Sequence, residues 1–380
     1  MSEFAHTVSF IRDVFKTDKF IPLHEPRFNG NEKLYVTETI DSTFVSSVGA
    51  YVNRFEEMIS QISCTKRGIA VVNGTAALQV ALRLVGVQPG DEVITQSLTF
   101  IATANAIAHN HAHPVFVDVD YDTMGLSPVA LKNFLEANAE LREDGCYNKK
   151  TLRRISACMP MHTFGFPVNL NEFLDVCNTW SIPVVEDAAE SIGSLYHGRP
   201  TGSFGKIGAY SFNGNKIVTA GGGGAIVTNV EILGDKAKHL TTTAKQPHRY
   251  EFYHDEIGYN YRMPNLNAAL ICAQLEQLDY FIERKRQLAS RYADFFGQLS
   301  IKFRSELPET RVNYWLMTLE LENKSQRDEF LKYTNDAGVM TRPIWTLMHK
   351  LPMFETCQRD EQVNAEILEQ CIVNIPSSVI

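Results

Sequence analysis

From about residue 68 the chain alternates short apolar runs with longer stretches of helical period. GIAVVNG (68–74) reads as a buried strand, and TAALQVALRLVGV after it repeats apolar residues at helical spacing. PGDEVITQ supplies a turn and a second strand, and FIATANAIAHN a helix. HPVFVDVD is a third strand. It leads into SPVALKNFLEANAELRE, a helix for which Ser127 is the expected N-cap. ISACMPMH, LNEFLDVCNTW and IPVVED continue the order as strand, helix and strand, and GAYSFN and GAIVTN predict two more strands on either side of four glycines. Such alternation predicts an α/β fold: a mostly parallel sheet with helices on both faces and ligands at the carboxyl ends of its strands. Past about residue 245 the pattern changes to one long helical stretch, 266–296, and then a shorter mixed α/β region. The expected organisation is an N-terminal arm with turns (1–30), a large domain (31–245) and a smaller C-terminal α/β domain (246–380).

Composition narrows the function classes. A chain of 380 residues, 44% hydrophobic and 21% charged, is ordinary for a two-lobed globular enzyme. A formal charge of −8 with no dense Lys/Arg run argues against a nucleic-acid partner. Seven cysteines without a CxxC pair predict reduced thiols and a cytoplasmic location, with neither a disulfide frame nor a metal site. MSEFAHTVSFIRDVF lacks the long apolar core of a signal peptide, and no apolar run is long enough for a bilayer, so no membrane partner is expected.

Four stretches carry candidate chemistry. In VVNGTAAL (71–78) a strand ends at Asn73-Gly74 and a helix begins; free N–H groups there suit a phosphate, and the plain alternative is a turn with Thr75 as the cap. IPVVEDAAES (182–191) ends a buried strand in Glu186 and Asp187. Such carboxylates need a cationic partner. Asp187 facing a protonated ring nitrogen is one reading, and a capping box, Asp187-x-x-Glu190, is the other. SFNGNKIVTAGGGG (211–224) places Lys216 ahead of the glycines. The phosphate-loop spacing is absent. A surface lysine on a loop is the plain alternative. The better chemical use is a neutral amine forming a Schiff base, with glycines 221–224 allowing close approach to a bulky cofactor and Ser211 able to donate to a phosphate. EIGYNYRMPNLNAAL (256–270) reads by itself as a helix entry.

Order and spacing together are specific. A phosphate-binding turn, Phe100, EDAAES and then SFNGNK resemble the fold-type I pyridoxal-phosphate enzymes. With GYNYRM they resemble the nucleotide-sugar aminotransferases of the DegT/DnrJ/EryC1/StrS family, over nearly the whole chain. IDSTFVSSVG, MHTFG, HDEIGYNYR and VMTRPIWTLMHKLPMF are similar to the subgroup linked to legionaminic acid biosynthesis.

The resemblance implies the following. Lys216 carries pyridoxal 5'-phosphate, and Asp187 pairs with its ring nitrogen. Phe100 stacks on the ring, and Gly74, Thr75, Ala76 and Ser211 clamp the phosphate. Glu190 lies near the ring hydroxyl, and Asn260 reaches the phosphate from a neighbouring subunit, which implies a homodimer with shared active sites. Ser46, Ser47, His162, Arg249, Arg342 and Trp345 are candidate sugar or nucleotide contacts, although a hydrogen-bonded structural role is the favoured reading of His162. A family branch that dehydrates its substrate has histidine at the lysine position, so lysine implies transamination. The expected reaction takes an amino group from L-glutamate, releases 2-oxoglutarate, and aminates C4 of a nucleotide-linked 4-keto-6-deoxy sugar, a UDP-2-acetamido-4-keto-2,4,6-trideoxy hexose for surface polysaccharide or nonulosonic acid. The alternatives are another keto sugar such as an octulosonate, or a non-catalytic sugar-binding regulator on the same fold.

Overall fold

The computed structural model describes residues 3–299 and 301–380. Seven strands build the principal sheet: β1 (Arg67–Val71), β2 (Glu92–Gln96), β3 (His113–Val117), β4 (Arg154–Met159), β5 (Val185–Asp187), β6 (Ile207–Ser211) and β7 (Gly224–Thr228). Their order is β1-β7-β6-β5-β4-β2-β3, with single bridges, Cys158↔Val184 and Met161↔Asp187, joining β4 to β5. Strands β2 to β6 pair in parallel, as the alternation predicts.

β7 departs from this by running antiparallel to both β1 and β6. The cause is its connection: residues 212–223 contain no helix. A parallel return needs a long crossover, usually helical, so the chain doubles back instead.

Successive residues of the central strands feed different cores. Val93 and Ala157 pack with Ala77, Leu78 and Ala81 of helix Gly74–Leu84. Ile94 and Cys158 pack with Leu131 and Phe134 of helix Pro128–Asn138 and Phe173 of helix Leu170–Thr179. This is the two-residue period of a strand buried on both faces. Ser127 caps its helix as expected, accepting from the Ala130 N–H. The helix is shorter than its pattern predicts. Ala139–Arg142 is a strand paired with Gly145–Asn148 across a turn in which Gly145 has φ +149.

The stretch expected as one long helix forms two, Asn265–Leu275 and Leu278–Phe296. After it, a four-stranded antiparallel sheet contains Lys302–Phe303, Met317–Glu320, Ile372–Ile375 and Arg342–Pro343, in that spatial order. Residues 1–30, expected as an arm with turns, include helix Glu3–Phe15, whose Phe10 stacks on Phe295 at 4.0 Å and whose Phe4 meets the edge of Phe330. Among the described residues, no helix is long and apolar enough to cross a membrane.

Candidate active site

A cavity of about 670 Å³ opens at the carboxyl ends of β5 and β6, where Asp187 and Ser211 end their strands. Its lining includes Gly74, Thr75, Phe100, Asp187, Glu190, Ser211, Lys216, Trp315, Arg342 and Trp345.

Side chains alternate along a strand, so Glu186 and Asp187 serve different surroundings. The Glu186 carboxylate accepts from the backbone N–H groups of Gly202, Phe204 and Gly205 at 2.6–2.7 Å. His162 Nε2 lies 3.1 Å from it, and His162 Nδ1 accepts from the Val168 N–H. His162 is fully buried in this network and does not line the cavity. This is the structural role favoured for His162, and the candidate sugar contact there is corrected: both ring nitrogens are already engaged in holding the sheet to the following loops.

Asp187 lines the cavity. One of its oxygens accepts from Thr103 Oγ1 at 2.8 Å, and the other from the Ala189 N–H at 3.2 Å. Burial raises its pKa, opposed by these hydrogen bonds and by the charge of Lys216. No helix follows Asp187, so the capping box does not form. Glu190 turns into the site, where its Oε2 accepts from the Phe164 N–H at 2.9 Å and its Oε1 lies 3.4 Å from Lys216 Nζ. Phe164 makes that bond from a left-handed backbone, φ +55, which is strained for a bulky residue.

Lys216 is 9% exposed. Besides Glu190, its amine meets the Trp315 ring face, 3.8 Å from the centroid. Burial lowers the Lys216 pKa, against the opposing pull of Glu190 and Asp187, and burial raises that of Glu190 to about 7. Both shifts run toward the neutral forms, so lysine and glutamate form one desolvated pair.

The phosphate-type cradle is preformed. Asn73, not Thr75, caps helix Gly74–Leu84, its Oδ1 accepting from the Ala76 N–H. That leaves the Gly74 and Thr75 N–H groups and the Thr75 and Ser211 hydroxyls without partners among the described residues. A Cβ on Gly74 would lie 2.8 Å from Ser211 Cβ, so glycine lets strand end and helix start close on one point. Phe100 is 49% exposed at the cavity wall, with Trp345 edge-on at 6.2 Å. An amine, a buried carboxylate, a free helix N-terminus and an exposed ring face are the groups that pyridoxal phosphate requires.

The glycine run does something other than expected. None of residues 221–224 lines this cavity. Gly221 has φ +73, and a Cβ on Gly224 would lie 2.5 Å from the Asn73 backbone. The run lets β7 pass beneath the turn that starts the helix.

A family model for the DegT/DnrJ/EryC1/StrS aminotransferases matches residues 26–379. The chain belongs to this family. Its members are pyridoxal phosphate-dependent sugar aminotransferases, and this protein is one of them. It is 36% identical to the GDP-perosamine synthase of Escherichia coli O157:H7, over 94% of this chain and 93% of that one. Among solved structures it is similar to the aminotransferase TlmJ from Streptoalloteichus hindustanus (TM-score 0.85, 25% identity, covering 94% and 93% of the two chains). It is also similar to DesV of S. venezuelae (TM-score 0.80, 27% identity, covering 91% and 89%).

The structure gathers most of the expected site residues in this cavity and leaves five outside it besides His162. Ala76 does not line it, and its N–H, expected at a phosphate, is taken by Asn73 instead. Arg342 and Trp345 line the cavity. Ser47 lines a second cavity of about 640 Å³, with Phe44, Lys238, Arg262 and Asn265. Ser46 lies beside that cavity, its carbonyl accepting from the Asn265 N–H, and Arg249 and Asn260 are exposed and line neither. Sequence reasoning missed Asn73, Thr103 and Trp315. Asn73 carried a readable signal, a cap residue type directly before a helix. Trp315 carried none, because its partner Asn215 is 100 residues away.

Proposed function

We propose that the protein transfers an amino group from L-glutamate to C4 of a nucleotide-linked 4-keto-6-deoxy sugar, a UDP-2-acetamido-4-keto-2,4,6-trideoxy hexose, for surface polysaccharide or nonulosonic acid synthesis. The observation that carries this reading is the opening of Lys216 Nζ, the Asp187 carboxylate and the free N-terminus of helix Gly74–Leu84 into one cavity.

In this reading Lys216 would bind the cofactor, and the N–H groups at Gly74 and Thr75 with the Ser211 hydroxyl would hold its phosphate, the Ala76 N–H being taken by Asn73. Phe100 covers the ring. Pyridoxal phosphate, when bound, supplies an electron sink for the carbanion formed at the substrate carbon. Asp187, buried and held by Thr103, would pair with the protonated ring nitrogen and stabilise its charge. Lys216, once displaced, moves the proton with its Nζ; arginine stays charged and serves neither task. Glu190 lies beside that amine, 3.4 Å away, within reach to hold it by hydrogen bond.

The sugar assignment rests on IDSTFVSSVG, MHTFG and VMTRPIWTLMHKLPMF. A diphosphate calls for cations, which Arg342 supplies within the chain and Arg249 from a second copy. An apolar wall for the 6-methyl comes from Trp345, or from Phe44 of the second copy. A GDP-linked sugar is the second reading, supported by the likeness to GDP-perosamine synthase.

Ser46, Arg249 and Asn260 contribute only if another copy lies against the Lys216 cavity. Support for such a homodimer comes from Phe44, Val48, Phe252 and Ile257, which are all more than half exposed on the same segments.

The test has two arms. Borohydride reduction of the cofactor-loaded protein is expected to fix the cofactor on Lys216, read by peptide mass mapping; an adduct on another lysine removes the assignment. In the second arm, UDP- and GDP-linked 4-keto-6-deoxy sugars are offered in parallel with glutamate, and products are identified by mass spectrometry and NMR. Amination of the UDP sugar is expected. Amination of the GDP sugar alone, or of a free octulosonate alone, overturns the sugar assignment and leaves transamination standing.

A further inference from the structure

Lys216 is tied from two directions by a segment of the C-terminal region, residues 312–315. Trp315 Nε1 donates to the carbonyl of Asn215, the residue before Lys216, at 2.8 Å, and its ring face bears on the Lys216 amine. Asn313 is fully buried. Its Nδ2 donates to the carbonyls of Glu190 and Ile192, both at 2.9 Å, and its Oδ1 accepts from the Trp315 N–H at 2.9 Å. One asparagine thus connects the loop that carries the carboxylate partner of Lys216 to the indole that covers it. Tyr314, between them, sits at φ +50, a strained conformation for a bulky residue. Gly165, in MHTFG, has φ +98, and a Cβ there would lie 2.0 Å from Asn313 Oδ1, so glycine admits the asparagine.

We propose that Trp315 is a positioning residue for Lys216: its indole face and the Glu190 carboxylate form a seat that holds the free amine in the cavity, and Asn313 locks both halves together. This rests on the reading that Lys216 is the amine that binds cofactor and moves the proton. That amine is free for part of each turnover, and an untethered lysine on a four-carbon stem would sample many rotamers. A ring face holds the ammonium without accepting its proton. Glu190 holds it by charge and by hydrogen bond. The other titratable groups facing Lys216 are Asp187 and, from the N-terminal segment, His24, whose pKa burial pushes well below the ordinary range; Arg342 lines the same cavity.

The experiment uses the cofactor-free full chain. Lys216 is labelled with a trace amine acylating reagent across pH, and its rate is read by mass spectrometry in wild type, Trp315→Leu and Trp315→Phe. Leucine keeps apolar cover but removes the π face, so the labelling midpoint should fall by about one pH unit. Phenylalanine should fall less. In the loaded enzyme, kcat for Trp315→Leu should drop about tenfold, with KM for the sugar changing less. Equal midpoints in all three proteins, or an effect on KM alone, overturns the seat. Should Trp315→Leu not fold, the phenylalanine comparison decides, and unchanged midpoint and kcat overturn the proposal. A borohydride adduct on a different lysine would instead remove the role of Lys216 while leaving the labelling result readable.

Discussion

Glu190 is the residue whose chemistry departs furthest from its ordinary behaviour. Burial raises its pKa from 4.5 to about 7, with Lys216 and the Phe164 N–H pulling back. The folded protein therefore binds this proton more tightly than the unfolded chain does. Between about pH 4.5 and 7 the native state carries the extra proton, so the contribution to stability is greatest at the acid end and declines as pH rises through 7. Glu190→Gln removes the titration. In the cofactor-free chain, the stability of the variant relative to wild type should rise between pH 5 and 8 by on the order of 1–3 kcal/mol, measured by urea unfolding. A difference that does not change with pH would show that the carboxyl is ionised throughout. Lys216 has the opposite sign. Its folded pKa is depressed below 10.5, so its contribution rises with pH from that depressed value up to 10.5. Removing the Glu190 charge lowers the Lys216 pKa further, which adds to the rise of the variant's relative stability with pH.

At the scale of elements, the glycine run between β6 and β7 separates two kinds of glycine. Gly224 starts β7 directly against the turn before helix Gly74–Leu84, where a Cβ would meet the carbonyl carbon and oxygen of Asn73 at 2.5 Å and the Gly74 nitrogen at 2.8 Å. Backbone cannot swing aside as a side-chain end can. Gly224→Ala should therefore cost about 1–3 kcal/mol and loosen the cradle at Gly74 and Thr75. Gly222 has nothing within 4 Å of an added Cβ and no positive φ, so Gly222→Ala should stay within about 0.5 kcal/mol. Denaturant midpoints of the two variants check the pair, and equal losses would mean that the run acts only through chain flexibility. The same crossing explains why β7 and the helix start are legible separately in sequence while their contact is not.

At the scale of the molecule, the expected site is split. Lys216, Asp187 and the helix N-terminus share one cavity, whereas Asn260 and Arg249 lie exposed elsewhere. The surrounding surface carries Phe252 at 80% and Ile257 at 82% exposure. Apolar patches of this kind mark association surfaces. Light scattering should give a dimer, and mixing Lys216→Ala with Asn260→Ala chains should restore part of the activity, since a mixed dimer has one site with both native residues. A fully active monomer, or no rescue after verified subunit exchange, excludes sites shared across the interface.

Local pattern determined much of this protein. Strand–helix alternation predicted the parallel sheet, because burial on both faces leaves continuous apolar runs whose ends carry polar residues. Asp187, Ser211 and the helix start at Gly74 were readable for that reason, each standing where an apolar run stops, and Lys216 was readable from SFNGNK and the glycines that follow it. Tertiary structure alone decided the rest. The antiparallel course of β7 follows from a connection too irregular for a crossover. His162 became a sheet-to-loop tie because Glu186 faces away from Asp187. The pair of Glu190 with Lys216 depends on desolvation, which no spacing encodes. The indole over Lys216 depends on chain segments 100 residues apart, brought together by packing of the C-terminal region against the strand ends.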